Sequence, residues 1–168
     1  MAKEDLNDVV IIGGGIAAHT AAVYTARAML KPIVISAPEP DQLSLTTLVE
    51  NYPGFRNGIM GPDLINECKE QAKRFGAIYI EGWVDSFNIK KDYFEVGVGK
   101  KKYYARTVIV STGASARKLH IPGEDKYWGR GVSTCAVCDA ALYRDKEVAV
   151  VGGGDSAMEE ALALYKFA

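Results

Sequence analysis

The sequence predicts an α/β fold, a parallel sheet flanked by helices with a β-hairpin layer added, and three observations carry it. Val9-Val10-Ile11-Ile12 is a short β-branched run, too continuously apolar for a half-exposed strand, and reads as a strand buried on both faces. It leads into Gly13-Gly14-Gly15 and an alanine-rich helical stretch that reaches about Met29. Pro32 then opens a second apolar run, Ile33-Val34-Ile35, which completes a strand–helix–strand unit within about 30 residues.

The later elements follow from the same signals. Residues 37–61 are rich in Pro, Gly, Asn and Thr and predict an irregular loop. Pro62-Asp63 starts a helix with Leu64, Ile65, Cys68, Ala72 and Phe75 on one face, ended by Gly76. Ile78-Tyr79-Ile80 reads as a strand. Phe94-Glu95-Val96 and Tyr103-Tyr104-Ala105 read as a hairpin turning at Lys100-Lys101-Lys102, and Thr107-Val108-Ile109-Val110 is a buried strand again. Pro122-Gly123-Glu124 reads as a linker. Val148 to Val151 predicts another apolar strand, running into Gly152-Gly153-Gly154 and a helical start. A single strand and helix cannot bury both faces of that strand. The region beyond about residue 145 is therefore expected to be an unfinished domain, either truncated or covered by another chain.

With 168 residues, 48% apolar and 24% charged, the chain can bury one core or slightly more. Twenty basic residues against 21 acidic ones give a net charge of −1, which offers no electrostatic case for nucleic acid or an anionic membrane surface. No run approaches the ~20 apolar residues that span a bilayer. Met1-Ala2-Lys3-Glu4-Asp5 is polar and lacks a signal-peptide core, so a cytoplasmic address is expected. Three cysteines are too few for a disulfide scaffold. Cys68, on a helix, is expected to be a small packing residue.

Two glycine clusters and one cysteine pair carry the chemistry. Gly13-x-Gly15-x-x-Ala18 fits a dinucleotide fingerprint with alanine in its third slot. Gly13 permits the tight turn, Gly15 lets backbone approach a pyrophosphate, and Ala18 keeps the helix close to the sheet. The helix N-terminus then offers free N–H groups to phosphate. The acidic residue that ends the second strand in such units is replaced by Ser36, which can hydrogen-bond a ribose hydroxyl only as a neutral group. Gly152-x-Gly154-x-x-Ala157 repeats the fingerprint. Two fingerprints suggest two nucleotide sites, one flavin and one nicotinamide. The alternative is that either cluster serves only a tight turn.

Cys135-Ala136-Val137-Cys138 is a C-x-x-C. Two intervening residues at a helix start allow a disulfide, and the helix dipole can stabilise one thiolate. Asp139 adjoins the pair and could move protons as thiols form. A zinc site would need two further soft ligands from Cys68, His19 and His120, and a purely structural pair is the other alternative.

At these residues the sequence resembles low-molecular-weight thioredoxin reductases, members of the pyridine nucleotide-disulfide oxidoreductases. That family places a C-A-x-C-D dithiol just ahead of the glycine motif of an inserted NADPH domain. Here the text is Cys135-Ala136-Val137-Cys138-Asp139, then Gly152-Gly153-Gly154-Asp155-Ser156-Ala157-Met158-Glu159-Glu160-Ala161. Val49-Glu50-Asn51-Tyr52-Pro53-Gly54-Phe55 is similar to the family's flavin-site loop, and Thr112-Gly113-Ala114-Ser115-Ala116 to the segment ending the flavin domain's first pass.

The resemblance implies a Rossmann-like FAD domain over residues 1–117 and the start of an NADPH domain over 118–168. It implies FAD contacts from Gly13, Gly14, Gly15, Ile16, Ala17, Ser36, Gln42, Asn51, Val84, Thr112 and Gly113, with Cys138 against the flavin ring. For NADPH it implies Gly152, Gly154, Asp155, Ser156 and Ala157. Cys135 would attack the thioredoxin disulfide, and Asp139 would donate and accept protons. Electrons would pass from NADPH through FAD and the dithiol to thioredoxin, in a homodimer. Other readings are a non-catalytic module binding flavin or thioredoxin, or a reductase with another donor or dithiol partner. The sequence departs from the family at Pro40-Asp41, where Gly-Gly is usual before Gln42. It departs also at Ile16 in place of proline, at Ala140 in place of glycine, and in lacking the Gly-Asp return segment.

Overall fold

A computed structural model of the chain describes residues 6–168, and the polar segment read at Met1–Asp5 lies outside the described residues. The fold divides into two compact units, residues 1–115 and 116–168.

The first unit is built on a six-stranded sheet in the order β5-β2-β1-β8-β7-β6. Strand β1 (Leu6–Ile12) pairs in parallel with β2 (Ile33–Ser36) on one side and β8 (Lys101–Val110) on the other. β2 pairs in parallel with β5 (Ile78–Glu81). Beyond β8 the sheet becomes antiparallel through β7 (Phe94–Val98) and β6 (Ser86–Ile89). The residues expected to form two separate strands, Tyr103–Ala105 and Thr107–Val110, are thus one ten-residue strand. Its first part pairs with β7 and most of its length with β1. β6 is not singled out by the sequence: Phe87 and Ile89 alternate with Ser86 and Asn88, but the run is only four residues long and all four are exposed. The hairpin turns at Gly99-Lys100, one residue earlier than expected. Gly99 has φ +58°, the left-handed region a tight turn favours, and Lys101 and Lys102 already belong to β8.

Alternation along β1 explains why its run is apolar throughout. Val9 and Ile11 face the helices, joined by Val34 and by Ala18, Ala22, Ala26, Ala72 and Ala77. Val10 and Ile12 face the other way, with Ile33 and Ile35, and are covered by Val96, Val98, Tyr103 and Ala105 of the hairpin. This gives the three layers expected: helices, parallel sheet and β-meander. Helix α1 (Ile16–Arg27) meets the sheet through Ala18, Ala22 and Ala26, spaced by four, and their small side chains let the helix lie close. It ends at Ala28, followed by Met29 at φ +65°.

Between β2 and the next helix, β3 (Leu48–Val49) and β4 (Ile59–Met60) form a two-stranded ribbon inside the segment expected to be irregular. Helix α2 (Gly61–Arg74) carries Pro62 in its first turn, where the missing N–H costs nothing, and stops before Gly76 at φ +101°. Cys68 is half-buried on α2, and burial pushes its thiol above the ordinary cysteine value.

In the second unit, Pro122-Gly123-Glu124 is not a linker. Glu124 begins the short helix α3 (Glu124–Tyr127), and its buried carboxylate accepts from the backbone N–H groups of Leu119 and His120 at 2.9 and 2.7 Å. Helix α4 (Ala136–Asp139) leads into a 3-10 turn over Ala140–Tyr143, and α5 (Asp155–Leu164) follows the second glycine cluster. The strand expected over Val148–Val151 is not formed. A parallel strand needs a neighbour for its N–H and C=O groups, none of the described residues pairs with this segment, and Val148, Val150 and Val151 remain 39–68% exposed. Among the described residues, no helix is long and apolar enough to cross a membrane.

Candidate functional site: a glycine-lined cleft and a cysteine pair

In the first unit, a cleft of about 820 Å³ opens at the carboxyl ends of β1, β2, β5 and β8. This is where open α/β sheets take their ligands, and the volume lies in the range of small-molecule sites. Gly13, Gly14, Gly15, Ile16 and Ala17 form one wall, and Ser36, at the end of β2, lies beside them. Gln42, Val84, Thr112 and Gly113 also line it. Asn51 does not. It sits in the bend after β3, and the neighbouring Tyr52 and Phe55 line a different cavity, against α2.

The three glycines have different physical reasons. Gly13 has φ +133°, and a Cβ there would fall on the Ser111 carbonyl oxygen. A Cβ on Gly14 would stand 2.6 Å from the Ser36 Cβ. Both are required by the chain's own packing. At Gly15 a Cβ would meet only the Asp41 Cβ, at 3.8 Å. The protein does not need glycine at that position, but a side chain there would enter the cleft that Gly15 lines. Gly15 is also the N-cap of α1, with no side-chain cap and no acidic residue in the first turn. The exposed N–H groups and the positive end of α1 therefore face the cleft without a competing carboxylate of the helix's own. A phosphate group fits this arrangement.

Asp41, the charged departure from the family's glycine pair, is occupied locally. Its Oδ1 accepts from the Leu43 and Ser44 N–H groups at 2.9 and 3.2 Å, and its Oδ2 from the Ser44 hydroxyl at 2.7 Å. The carboxylate thus shapes the turn that presents Gln42. His19 also lines the cleft, yet is only 2% exposed, with Nδ1 2.9 Å from the Tyr79 hydroxyl and Nε2 without a partner among the described residues. Burial holds its imidazole below the ordinary histidine value, and Lys69 adds to this, while Asp41 and the Gly14 backbone oppose it. Neither Asp41's turn nor His19's burial is legible in the sequence, since each depends on contacts the chain makes only when folded.

In the second unit, the Cys135 and Cys138 sulfurs are bonded at 2.04 Å. Cys135 is the N-cap of α4. Its sulfur accepts from the Cys138 N–H at 3.2 Å, and its carbonyl accepts from the N–H groups of Cys138 and Asp139. Asp139 is held by Ser133, whose hydroxyl donates to Oδ2 at 2.6 Å and itself accepts from the Cys135 N–H at 3.1 Å. Glu160, on α5, accepts from the Ala136 N–H through its Oε2. Ser133 and Glu160 were not singled out as site residues from the sequence. Nothing in their spacing marks them, since one precedes the motif in a loop and the other comes from a separate helix.

At the second glycine cluster, Gly152 has φ +147°, and a Cβ there would stand 2.9 Å from the Ala157 Cβ. Gly154 caps α5, and nothing lies within 4 Å of where its Cβ would be. Asp155 and Ser156 occupy the first turn and are exposed.

Comparison with known proteins fits these features. The family model for pyridine nucleotide-disulphide oxidoreductases matches residues 7–168. The chain is 50% identical to thioredoxin reductase of Mycolicibacterium smegmatis, over 99% of this chain and 54% of that protein. It is 49% identical to the bifunctional thioredoxin reductase/thioredoxin of Mycobacterium leprae, over 99% of this chain and 37% of that protein. The crystal structure of thioredoxin reductase from Streptococcus pyogenes superposes with a TM-score of 0.90 and 44% identity, covering 97% of this chain and 53% of that one. The chain spans about half the length of the Mycolicibacterium and Streptococcus relatives and little more than a third of the Mycobacterium leprae one. With the glycine-lined cleft and the bonded cysteine pair in place, the chain belongs to the pyridine nucleotide-disulphide oxidoreductase family.

Proposed function

We propose that this chain is part of a thioredoxin-disulfide reductase that passes electrons from NADPH through FAD and the Cys135–Cys138 pair to thioredoxin. The observation that carries the reading is the cysteine pair itself, bonded at the first turn of α4 with a hydrogen-bonded carboxylate beside it. The names of the relatives support the same activity. The fusion of reductase and thioredoxin in one relative supports thioredoxin as the partner.

In this reading residues 1–117 are the flavin domain and 118–168 begin the NADPH domain. The cleft residues fit a dinucleotide: Gly15 and the first turn of α1 would hold the pyrophosphate. Ser36 would take a ribose hydroxyl, and Gln42, Val84, Thr112 and Gly113 would flank the rest. FAD supplies the two-electron step between nicotinamide and dithiol. Gly152, Gly154, Asp155, Ser156 and Ala157 would meet NADPH. The assembly would be a cytoplasmic homodimer.

Reduction of the Cys135–Cys138 bond consumes one electron pair and two protons and yields two thiols. The Cys135 thiolate attacks one sulfur of the partner's disulfide, forming a mixed disulfide and releasing one partner thiolate. The Cys138 thiolate then displaces the other partner sulfur, restoring the 135–138 bond and freeing the reduced partner. Asp139 donates and accepts the protons.

Trapping tests the partner assignment. A Cys138→Ser chain, reduced and mixed with oxidised thioredoxin, should accumulate a mixed disulfide through Cys135. An adduct with glutathione of equal yield and no preference for thioredoxin would overturn it.

A further inference from the structure

We propose that Glu160 is a positioning residue of the dithiol, holding the cysteine turn through the Ala136 N–H and making its thiols harder to ionise by its charge. The inference rests on the reading of Cys135–Cys138 as the redox centre.

The hydrogen-bond pattern of the turn leads to Glu160. α4 is one turn long, so its N–H groups must find partners outside a helical ladder. The N–H of Cys138 is taken by the Cys135 sulfur and carbonyl, and that of Asp139 by the Cys135 carbonyl. The Ala136 N–H points elsewhere, and it is the Glu160 carboxylate that accepts it. Ala136 is 6% exposed, so this donor would be costly to leave unpaired. The bond reaches 24 residues along the chain, from the middle of α5 to the first of the two residues between the cysteines. No other side chain of α5 hydrogen-bonds the turn among the described residues.

The charge matters for a second reason. A carboxylate bonded to the residue next to Cys135 disfavours a thiolate in the same turn, by like-charge repulsion. Asp139, on α4 itself, is the other charged group bonded into the turn. The remaining titratable groups on the elements packed against α4 are Asp155 and Glu159 of α5 and Tyr143 of the 3-10 turn. Glu160 lies on the helix that begins at the second glycine cluster, so the same rigid element carries the Gly152–Gly154 turn at one end and the dithiol's anchor in its middle.

Two substitutions separate the bond from the charge. Glu160→Gln keeps an acceptor for the Ala136 N–H and removes the charge. In the reduced chain, its thiol titration, followed by ultraviolet thiolate absorbance, should move down by on the order of half a unit to one unit. The Ala136 amide should keep its protection from hydrogen exchange. Glu160→Ala removes both, so the titration should move and Ala136 exchange should accelerate about tenfold. Titration of Glu160→Gln at the wild-type midpoint overturns the proposal, as does unchanged Ala136 exchange in Glu160→Ala. These readouts use only the chain's own thiols and amides. A failure to reduce thioredoxin would count against the proposed function and leave them untouched.

Discussion

The Ser133 hydroxyl donates to Asp139 Oδ2 at 2.6 Å and accepts from the Cys135 N–H at 3.1 Å, so one side chain ties the carboxylate to the backbone of the first cysteine. Asp139 is half-buried beside an exposed Cys138, and a carboxylate in that setting rotates freely unless something holds it. Ser133→Ala should leave the disulfide intact while lowering the rate of thiol–disulfide exchange several-fold, because the carboxylate proposed to carry protons is no longer kept in place. Stopped-flow reduction of a small disulfide by the reduced chain, across pH, checks this. A rate and pH profile equal to wild type in Ser133→Ala would count against Asp139 as the proton carrier.

The glycine turn of the first unit should respond position by position. Gly14→Ala pushes a methyl group onto the Ser36 Cβ and should cost about 2 kcal/mol of stability. Gly15→Ala meets only ordinary contact, at 3.8 Å, and should fold as well as wild type while binding FAD at least tenfold more weakly. Chemical denaturation and flavin-fluorescence titration of the two variants separate packing from binding. Equal loss of stability in both would contradict the division.

His19 makes the first unit acid-sensitive. Its folded pKa is lowered by burial, so the unfolded chain takes up a proton near pH 6.5 and the folded chain does so only at lower pH. Between those two values the unfolded state binds more protons, and stability falls as pH drops. Above pH 6.5 His19 contributes no pH dependence. The slope from this residue has a ceiling of about 1.4 kcal/mol per pH unit. A His19→Gln chain, compared with wild type by urea denaturation from pH 8 to pH 5, should lose that slope. Parallel curves for the two proteins would refute it.

Glu124 closes the loop ahead of α3 by accepting two backbone N–H groups from a buried position. Glu124→Ala leaves the donors of Leu119 and His120 unpaired and should cost about 2–3 kcal/mol. Hydrogen exchange should accelerate at those two amides first. Unchanged exchange there would show that water replaces the carboxylate without cost.

The core of the first unit was legible because its signal is local. A β-branched run that is apolar at every position can only be a strand covered on both faces, and β1 is covered by α1 and α2 on one side and the hairpin on the other. Glycine clusters and C-x-x-C announce themselves by spacing in the same way. Where the expectation failed, the missing information was a partner. Val148–Val151 has the composition of a strand, but pairing is a property of two segments, and no neighbouring strand is present among the described residues. β6 is hard to single out for a different reason: Ser86-Phe87-Asn88-Ile89 alternates, but over only four exposed residues, and it forms by pairing with the edge of β7. The two side chains that hold the dithiol turn, Ser133 and Glu160, act through single hydrogen bonds that no spacing rule encodes.

In the proposed function, the chain holds FAD and a redox-active dithiol that exchange electrons. Anaerobic reductive titration of the purified chain, loaded with FAD, tests it most directly. The expected result is uptake of one electron pair by the flavin and a second pair by the Cys135–Cys138 bond, the second being lost in Cys138→Ser. Uptake of a single pair by wild type, with the Cys135–Cys138 bond still intact when the flavin is fully bleached, would contradict it.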